Sequence, residues 1–151
     1  MCRAIFVLLL SLASASAGLC RLDAISMIES GDNDSAIGGA GEISRYQIKP
    51  SVWHLLTPLN DYNDQQVSSR VAARYLAFLE SSFLKQTGRL PDDFDSYVLW
   101  NAGLSYYKRI GFSAERVSPV IRERAERFVN LCHMSSTVGP RASKPPILAA
   151  E

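Results

Sequence analysis

The chain has 151 residues, 47% of them hydrophobic and 21% charged, with 16 basic against 15 acidic side chains. That length suits one domain with a sizeable core. A net charge near zero, with no run of Lys or Arg, argues against a nucleic-acid binder, which needs a basic face.

Residues 1–17 read as a secretory signal peptide. Arg3 precedes an apolar stretch from Ala4 to Leu12, and Ala15-Ser16-Ala17 before Gly18 is a small-residue cleavage pattern. The stretch is too short to span a bilayer, so no stable membrane insertion is expected once it is removed. The expected destination is secreted or periplasmic. A lipoprotein reading would acylate Cys20, but Leu19 is larger than the small residue such a site requires. Cleavage takes away Arg3 and Cys2, which balances the charges and leaves Cys20 and Cys132 bracketing the domain. In an oxidising compartment those two are expected to pair, the alternative being two unpaired thiols.

The stretch from Ile25 to Trp53 carries most of the chemistry. An apolar run, Leu22 to Ile28, predicts a helix that brings Glu29 to a Ser30-Gly31 stop, with Gly31 suited to the left-handed residue that ends many helices. A loop with Asp32, Asp34 and Glu42 follows, in which Gly38, Gly39 and Gly41 let backbone approach a ligand closely. A carboxyl group that is to protonate a glycosidic oxygen must keep its proton, and both apolar burial and the negative end of a helix favour the protonated form. The stretch therefore reads as a catalytic acid at a helix end, facing a loop that shapes a sugar-binding groove. The plainer reading of Glu29 is a solvated helix-end glutamate.

Further helices follow in order. Pro50 to Leu56 predicts a short helix with Pro50 in its first turn and Trp53 turned inward. Pro58 and Asn60 to Asn63 make a polar break. Asp64 is placed to cap a long core helix from about Gln65 to Gln86, where Ala72, Tyr75, Leu76, Leu79 and Phe83 recur at helical spacing. Thr87-Gly88 ends it. Another helix is expected from Asp92 or Asp93 to Gly103, followed by a loop with Tyr106, Tyr107 and Phe112. One of those three aromatics is expected to stack on a sugar face, and Tyr106 is the candidate. The last helix should run from about Pro119 to Leu131, with Arg122, Glu123, Glu126 and Arg127 on a solvated face. Residues 134–151 read as a flexible tail. The fold class is mainly α.

Other chemistries lack their residues. His54 and His133 stand without a cysteine or carboxylate cluster at ligand spacing, so no metal site is expected. No phosphate-binding motif and no local Ser-His-Asp signature occurs. No cofactor is expected.

Glu29-Ser30, the loop ending in Gln47-Ile48-Lys49-Pro50, and Asn101-Ala102-Gly103 resemble, in that order, the three signatures of the soluble lytic transglycosylase (SLT) domain, a lysozyme-like family. The resemblance runs from about Ala24 to Val129. The chain departs from it in two places, with Ser44-Arg45-Tyr46-Gln47 where the family usually has Gly-Leu-Met-Gln, and Trp100 where it has a tyrosine.

The resemblance implies a lysozyme-like helical domain over residues 18–133, with a Gly-rich loop or small β element beside the active-site cleft. It implies cleavage of the β-1,4 bond between N-acetylmuramic acid and N-acetylglucosamine in peptidoglycan glycan strands, by a monomer. Glu29 takes the family's single-acid role. Ser30 resembles the serine that helps hold the acid and substrate, and Gln47 resembles the cleft glutamine, with Tyr46 beside it in the substrate-binding set. Asn101 falls in the third signature, where the alternative is a plain helix-end residue. Trp100 replaces a tyrosine whose hydroxyl approaches the acid in the family, and an indole offers only an N–H donor. Two other readings stay open. One is a lysozyme-like hydrolase using a second carboxylate, Glu42 foremost or Asp34; the other is a secreted glycan-binding protein without activity.

Overall fold

The computed structural model describes residues 21–137, and side chains as far as residue 134. The signal segment, Cys20 and therefore the proposed Cys20 to Cys132 pair, and residues 138–151 lie outside that range. The described chain is mainly α. Its helices are α1 (residues 21–30), α2 (Pro50–Leu56), α3 (Gln65–Thr87), α4 (Asp93–Arg109) and α5 (Pro119–Thr137), with one 3-10 turn at Ala114–Arg116.

At the centre is α4. Residues Asp95 to Trp100 are all buried, so this helix is covered on every side over nearly two turns. It starts with a reciprocal cap: Asp92 accepts from the Asp95 backbone N–H at 2.8 Å, and the Asp95 carboxylate accepts from the Asp92 N–H at 3.1 Å. Asp95 also accepts from Arg89 and from Tyr107 Oη at 2.6 Å. Burial alone would raise this carboxyl, but the bonds from Arg89, Tyr107 and Asp92 hold it below the ordinary aspartate value. A charge with that many donors is a tolerable core residue.

Two helices pack against α4. On one side, α3 buries Val71, Ala72, Leu76, Leu79 and Phe83, with Asp64 accepting from the Val67 N–H at its start and left-handed Gly88 at its end. On the other, α5 buries Ala125, Phe128 and Cys132, and Phe128 lies 5.3 Å from Tyr97 of α4. Each fully buried aromatic or aliphatic side chain in this core contributes about 1.5–3 kcal/mol. α5 runs to Thr137, past the expected end near Leu131, so residues 134–137 are helical and not part of a tail. Arg122 is half-buried and donates to the Ala114 carbonyl, while Glu123, Glu126 and Arg127 are exposed as expected.

The first helix is tied in by charge and by apolar contact. Arg21 reaches Glu80 of α3 and Asp93 of α4, each at 2.7 Å, while Leu22, Ala24 and Ile25 enter the core. Short α2 buries Trp53, whose Nε1–H donates to the Leu59 carbonyl at 2.7 Å and whose ring meets the edge of Tyr62.

The sequence suggests that α4 stops at Gly103, and the structure differs. Gly103 has φ 81 and ψ 161, a conformation open only to glycine, yet the helix resumes beyond it. Gly103 is thus a kink, and Tyr106 and Tyr107 are helical residues rather than loop residues.

Candidate active site

The end of α1 is built to present Glu29. Gly31 and Asp32 are both left-handed, at φ 65, and their N–H groups return to the carbonyls of Met27 and Ser26. Asp32 is a residue type that tolerates this geometry. It is held there by Ser26 Oγ and by Arg45 Nη2, which donates to the Asp32 carbonyl at 2.8 Å. Ser30 sits beneath the turn, donating to the Arg45 carbonyl at 2.8 Å and accepting from the Asn33 N–H at 3.1 Å. Ser30 does not line the cleft, contrary to its expected place in the substrate-binding set; it fastens the loop to the helix that carries Glu29.

The loop folds on itself through two isolated antiparallel bridges, Ile37 with Ile43 and Ile43 with Ile48. Among the described residues this is the only β pairing, less than the small β element that was one expectation. Residues 44–47 form the turn between Ile43 and Ile48, and Ser44 and Gln47 there have positive φ, 66 and 51. Non-glycine residues pay about 1 kcal/mol or more for that conformation. At Gln47 the strain is offset locally, because its Nε2 donates to the Ser44 carbonyl at 2.9 Å, and it puts the amide into the cleft. Gly38 crosses directly over this amide. A Cβ there would stand 2.4 Å from Gln47 Oε1 and 2.5 Å from Glu42 Oε2, so only glycine lets the backbone lie so close.

A cleft of about 450 Å³ opens between this loop, α2, the kink of α4 and α5. Glu29, Glu42, Gln47 and Asn101 line it, as do Trp100 and Arg124. All three sequence signatures therefore reach one cavity. Asn101, Ala102 and Gly103 border it just where the α4 kink turns the backbone. Tyr75 and Trp100 meet edge to face, 5.2 Å between centroids, and both line the cleft.

Glu29 is gripped from two sides. Its side chain is only 9% exposed; Oε1 accepts from Tyr97 Oη at 2.7 Å, and Oε2 faces Arg124 Nη2 at 3.3 Å. Tyr97 is fully buried, and burial, then the charge and hydrogen bond of Glu29, push its hydroxyl far above the ordinary tyrosine value. The tyrosine is therefore the donor of that bond. The chain thus has a tyrosine hydroxyl on the acid after all, one helical turn ahead of Trp100.

Several expected site residues lie elsewhere. Tyr46 is buried, with its hydroxyl 3.0 Å from Ser69 Oγ. Tyr106 accepts from the Ser118 N–H at 2.9 Å and ties α4 to the start of α5. Tyr107 is buried on Asp95, and Phe112 packs against Phe83 and Tyr107. None of these four lines the cleft; for Tyr106 and Tyr107 this follows from the resumption of α4 after Gly103, and Tyr75 and Trp100 supply the aromatic faces instead. Asp34 is also outside it, paired with Arg45 Nε at 2.9 Å, so of the two candidate second carboxylates only Glu42 borders the cavity. The Glu42 carboxylate accepts from the Ala40 N–H at 3.1 Å.

Sequence reasoning missed Arg124 and Tyr75 as cleft residues, and Tyr97 as the buried partner of Glu29. The residue pattern did carry one signal for Tyr97: it lies three positions before Trp100, on the same face of a helix. Among the described residues no group of three or more His, Cys, Asp or Glu side chains could hold a metal ion, and no helix is long and apolar enough to cross a membrane. No protein-family model matches the chain, and neither a curated protein nor a solved structure matches it.

Proposed function

We propose that the protein is a peptidoglycan lytic transglycosylase of the soluble, lysozyme-like kind, acting outside the cytoplasm on glycan strands. The observation that carries the reading is the convergence of Glu29, Gln47 and Asn101, one from each of three separated signatures, on one cleft. A binder has no need of a nine-tenths buried carboxyl at the wall of its groove.

In this reading Glu29 protonates the oxygen that leaves C1 of the muramyl residue. The resulting carboxylate then takes the proton of the muramyl C6 hydroxyl, whose oxygen bonds to C1 and closes a 1,6-anhydro ring. One group serves as acid and base in turn, and its proton is restored. The nucleophile is tethered to the reacting sugar, so its effective concentration is very high and no second carboxylate is required. Tyr97 orients the acid through Oε1. Gln47 and Asn101 provide amides for sugar substituents, and Trp100 with Tyr75 an aromatic wall.

A second reading, a lysozyme-like hydrolase, is favoured by one observation: Glu42 also borders the cleft and could activate a water. Asp34 has no such placement. In both readings Glu29→Gln removes the transferable proton with little change of shape, so it should abolish clearing of purified sacculi while the helical circular dichroism is retained. Clearing at the wild-type rate by a folded variant would remove Glu29 from the mechanism and with it this function.

A further inference from the structure

The two oxygens of Glu29 are held very differently. Oε1 is fixed from the core by Tyr97, which is itself locked against Phe128. Oε2 is held from the cleft by Arg124 at 3.3 Å, long for a charge-assisted bond, which is ordinarily about 2.7–2.9 Å. Arg124 is 37% exposed, and its other hydrogen bond, to the Ile28 carbonyl at 3.4 Å, uses the same nitrogen, Nη2. Among the described residues no hydrogen bond involves its Nη1 or Nε, and the side chain lines the cleft. For Glu29 to reach a glycosidic oxygen, one carboxyl oxygen must come away from its partner, and the weaker, more exposed contact is the one to Arg124.

We propose that Arg124 selects glycans carrying a carboxylate: it pairs with that group and in so doing releases Glu29 Oε2, which takes up a proton from solvent water and turns it to the scissile bond. The inference rests on the glycan-cleaving reading above and deepens it by naming a substrate feature and the residue that reads it. Arginine is the side chain suited to the task, since its planar fork matches a carboxylate in two-bond geometry and stays charged throughout. Lys49, exposed at the rim of the same cleft, adds positive potential without such a fork. In muramyl glycans the carboxylate is that of the lactyl ether or, when that is amidated by a peptide, one on the peptide itself.

Equilibrium binding tests this apart from catalysis. Trp100 borders the cleft and its fluorescence reports occupancy, over a constant background from buried Trp53. The ligands are a neutral chito-oligosaccharide, a muramyl oligosaccharide with free lactyl carboxylates, and a peptide-bearing muramyl oligosaccharide. The wild type should bind one or both carboxylated glycans at least about tenfold more tightly than the neutral one, and the arm that shows it identifies the source of the group. Arg124→Gln should lose that preference, Arg124→Lys should retain part of it, and neither should change neutral binding. Glu29→Gln should bind the carboxylated glycan more tightly than the wild type, because Arg124 no longer has to leave an ion pair, and should widen the preference for it over the neutral one. Equal affinity of the wild type for all three glycans overturns the proposal. So does an equal loss for neutral and carboxylated ligands in Arg124→Gln, or no gain in Glu29→Gln, which also serves if the arginine variants fail to fold. A wild type that shows the preference but clears no sacculi contradicts the proposed reaction and leaves only the pairing of Arg124 with the glycan carboxylate standing; one that clears sacculi without the preference overturns that pairing and leaves the reaction standing.

Discussion

Tyr97 and Glu29, 68 residues apart in the chain, meet at 2.7 Å, the tyrosine hydroxyl donating to Glu29 Oε1. The bond crosses from the central helix to the end of the first one, so the position of the acid is set by the core and not by the loop. A hydrogen bond to a charged group contributes about 1.5–3 kcal/mol. Tyr97→Phe keeps the ring and its packing on Phe128 and removes only that bond. The variant should fold normally and lose roughly tenfold to a hundredfold in kcat, with KM little changed. Steady-state release of soluble muropeptides measures it; an unchanged kcat would mean that Tyr97 does not orient the acid.

Gly38 is the point where the loop comes closest to the cleft side chains. A methyl group there would displace the ends of Gln47 and Glu42, both within 2.5 Å of where it would stand. Those ends are flexible, so the cost falls on the geometry of the cleft more than on stability. Gly38→Ala should weaken glycan binding several-fold, with a thermal midpoint within a few degrees of the wild type. An unchanged KM would show that Gln47 and Glu42 do not need their present placement.

The pattern of residues made the long helices legible and left much of the site hidden. Asp64 and Gly88 bound α3 because a capping side chain and a left-handed glycine have unambiguous local chemistry. Gly103 carries an equally strong local signal, and it misleads. Whether a glycine ends a helix or kinks it depends on what the next turn packs against, and here Tyr107 bonds to buried Asp95 and draws the helix onward. Glu29, Gln47 and Asn101 could be named from spacing and resemblance. Arg124 could not, since it lies in the charged last helix and its meeting with Glu29, 95 residues away, is a tertiary fact. The positive φ of Ser44 and Gln47 is equally invisible, because neither residue type advertises it.

Alkaline stability follows from two of the buried tyrosines, Tyr97 and Tyr107. Burial, then interaction with Glu29 or Asp95, raises Tyr97 and Tyr107 well above the ordinary value of 10.0. A raised folded-state pKa means that the unfolded chain loses the proton first, so the stabilisation is complete below about pH 10 and is lost as pH rises past it. Thermal midpoints should begin to fall above about pH 10 and go on falling as the pH rises further, and Tyr107→Phe should show a shallower fall. Equal slopes for the two proteins would contradict the linkage.

The central claim is that Glu29 works as the single acid and base, with the C6 hydroxyl of the substrate as nucleophile. Products formed from sacculi in oxygen-18 water distinguish this from hydrolysis by mass spectrometry. The account predicts muropeptides ending in 1,6-anhydromuramic acid, one water lighter than the hydrolysis product, with no oxygen-18 at the new muramyl end and no new reducing sugar. Labelled reducing ends, abolished by Glu42→Gln, would contradict it and assign the cleft to a hydrolase that uses two carboxylates.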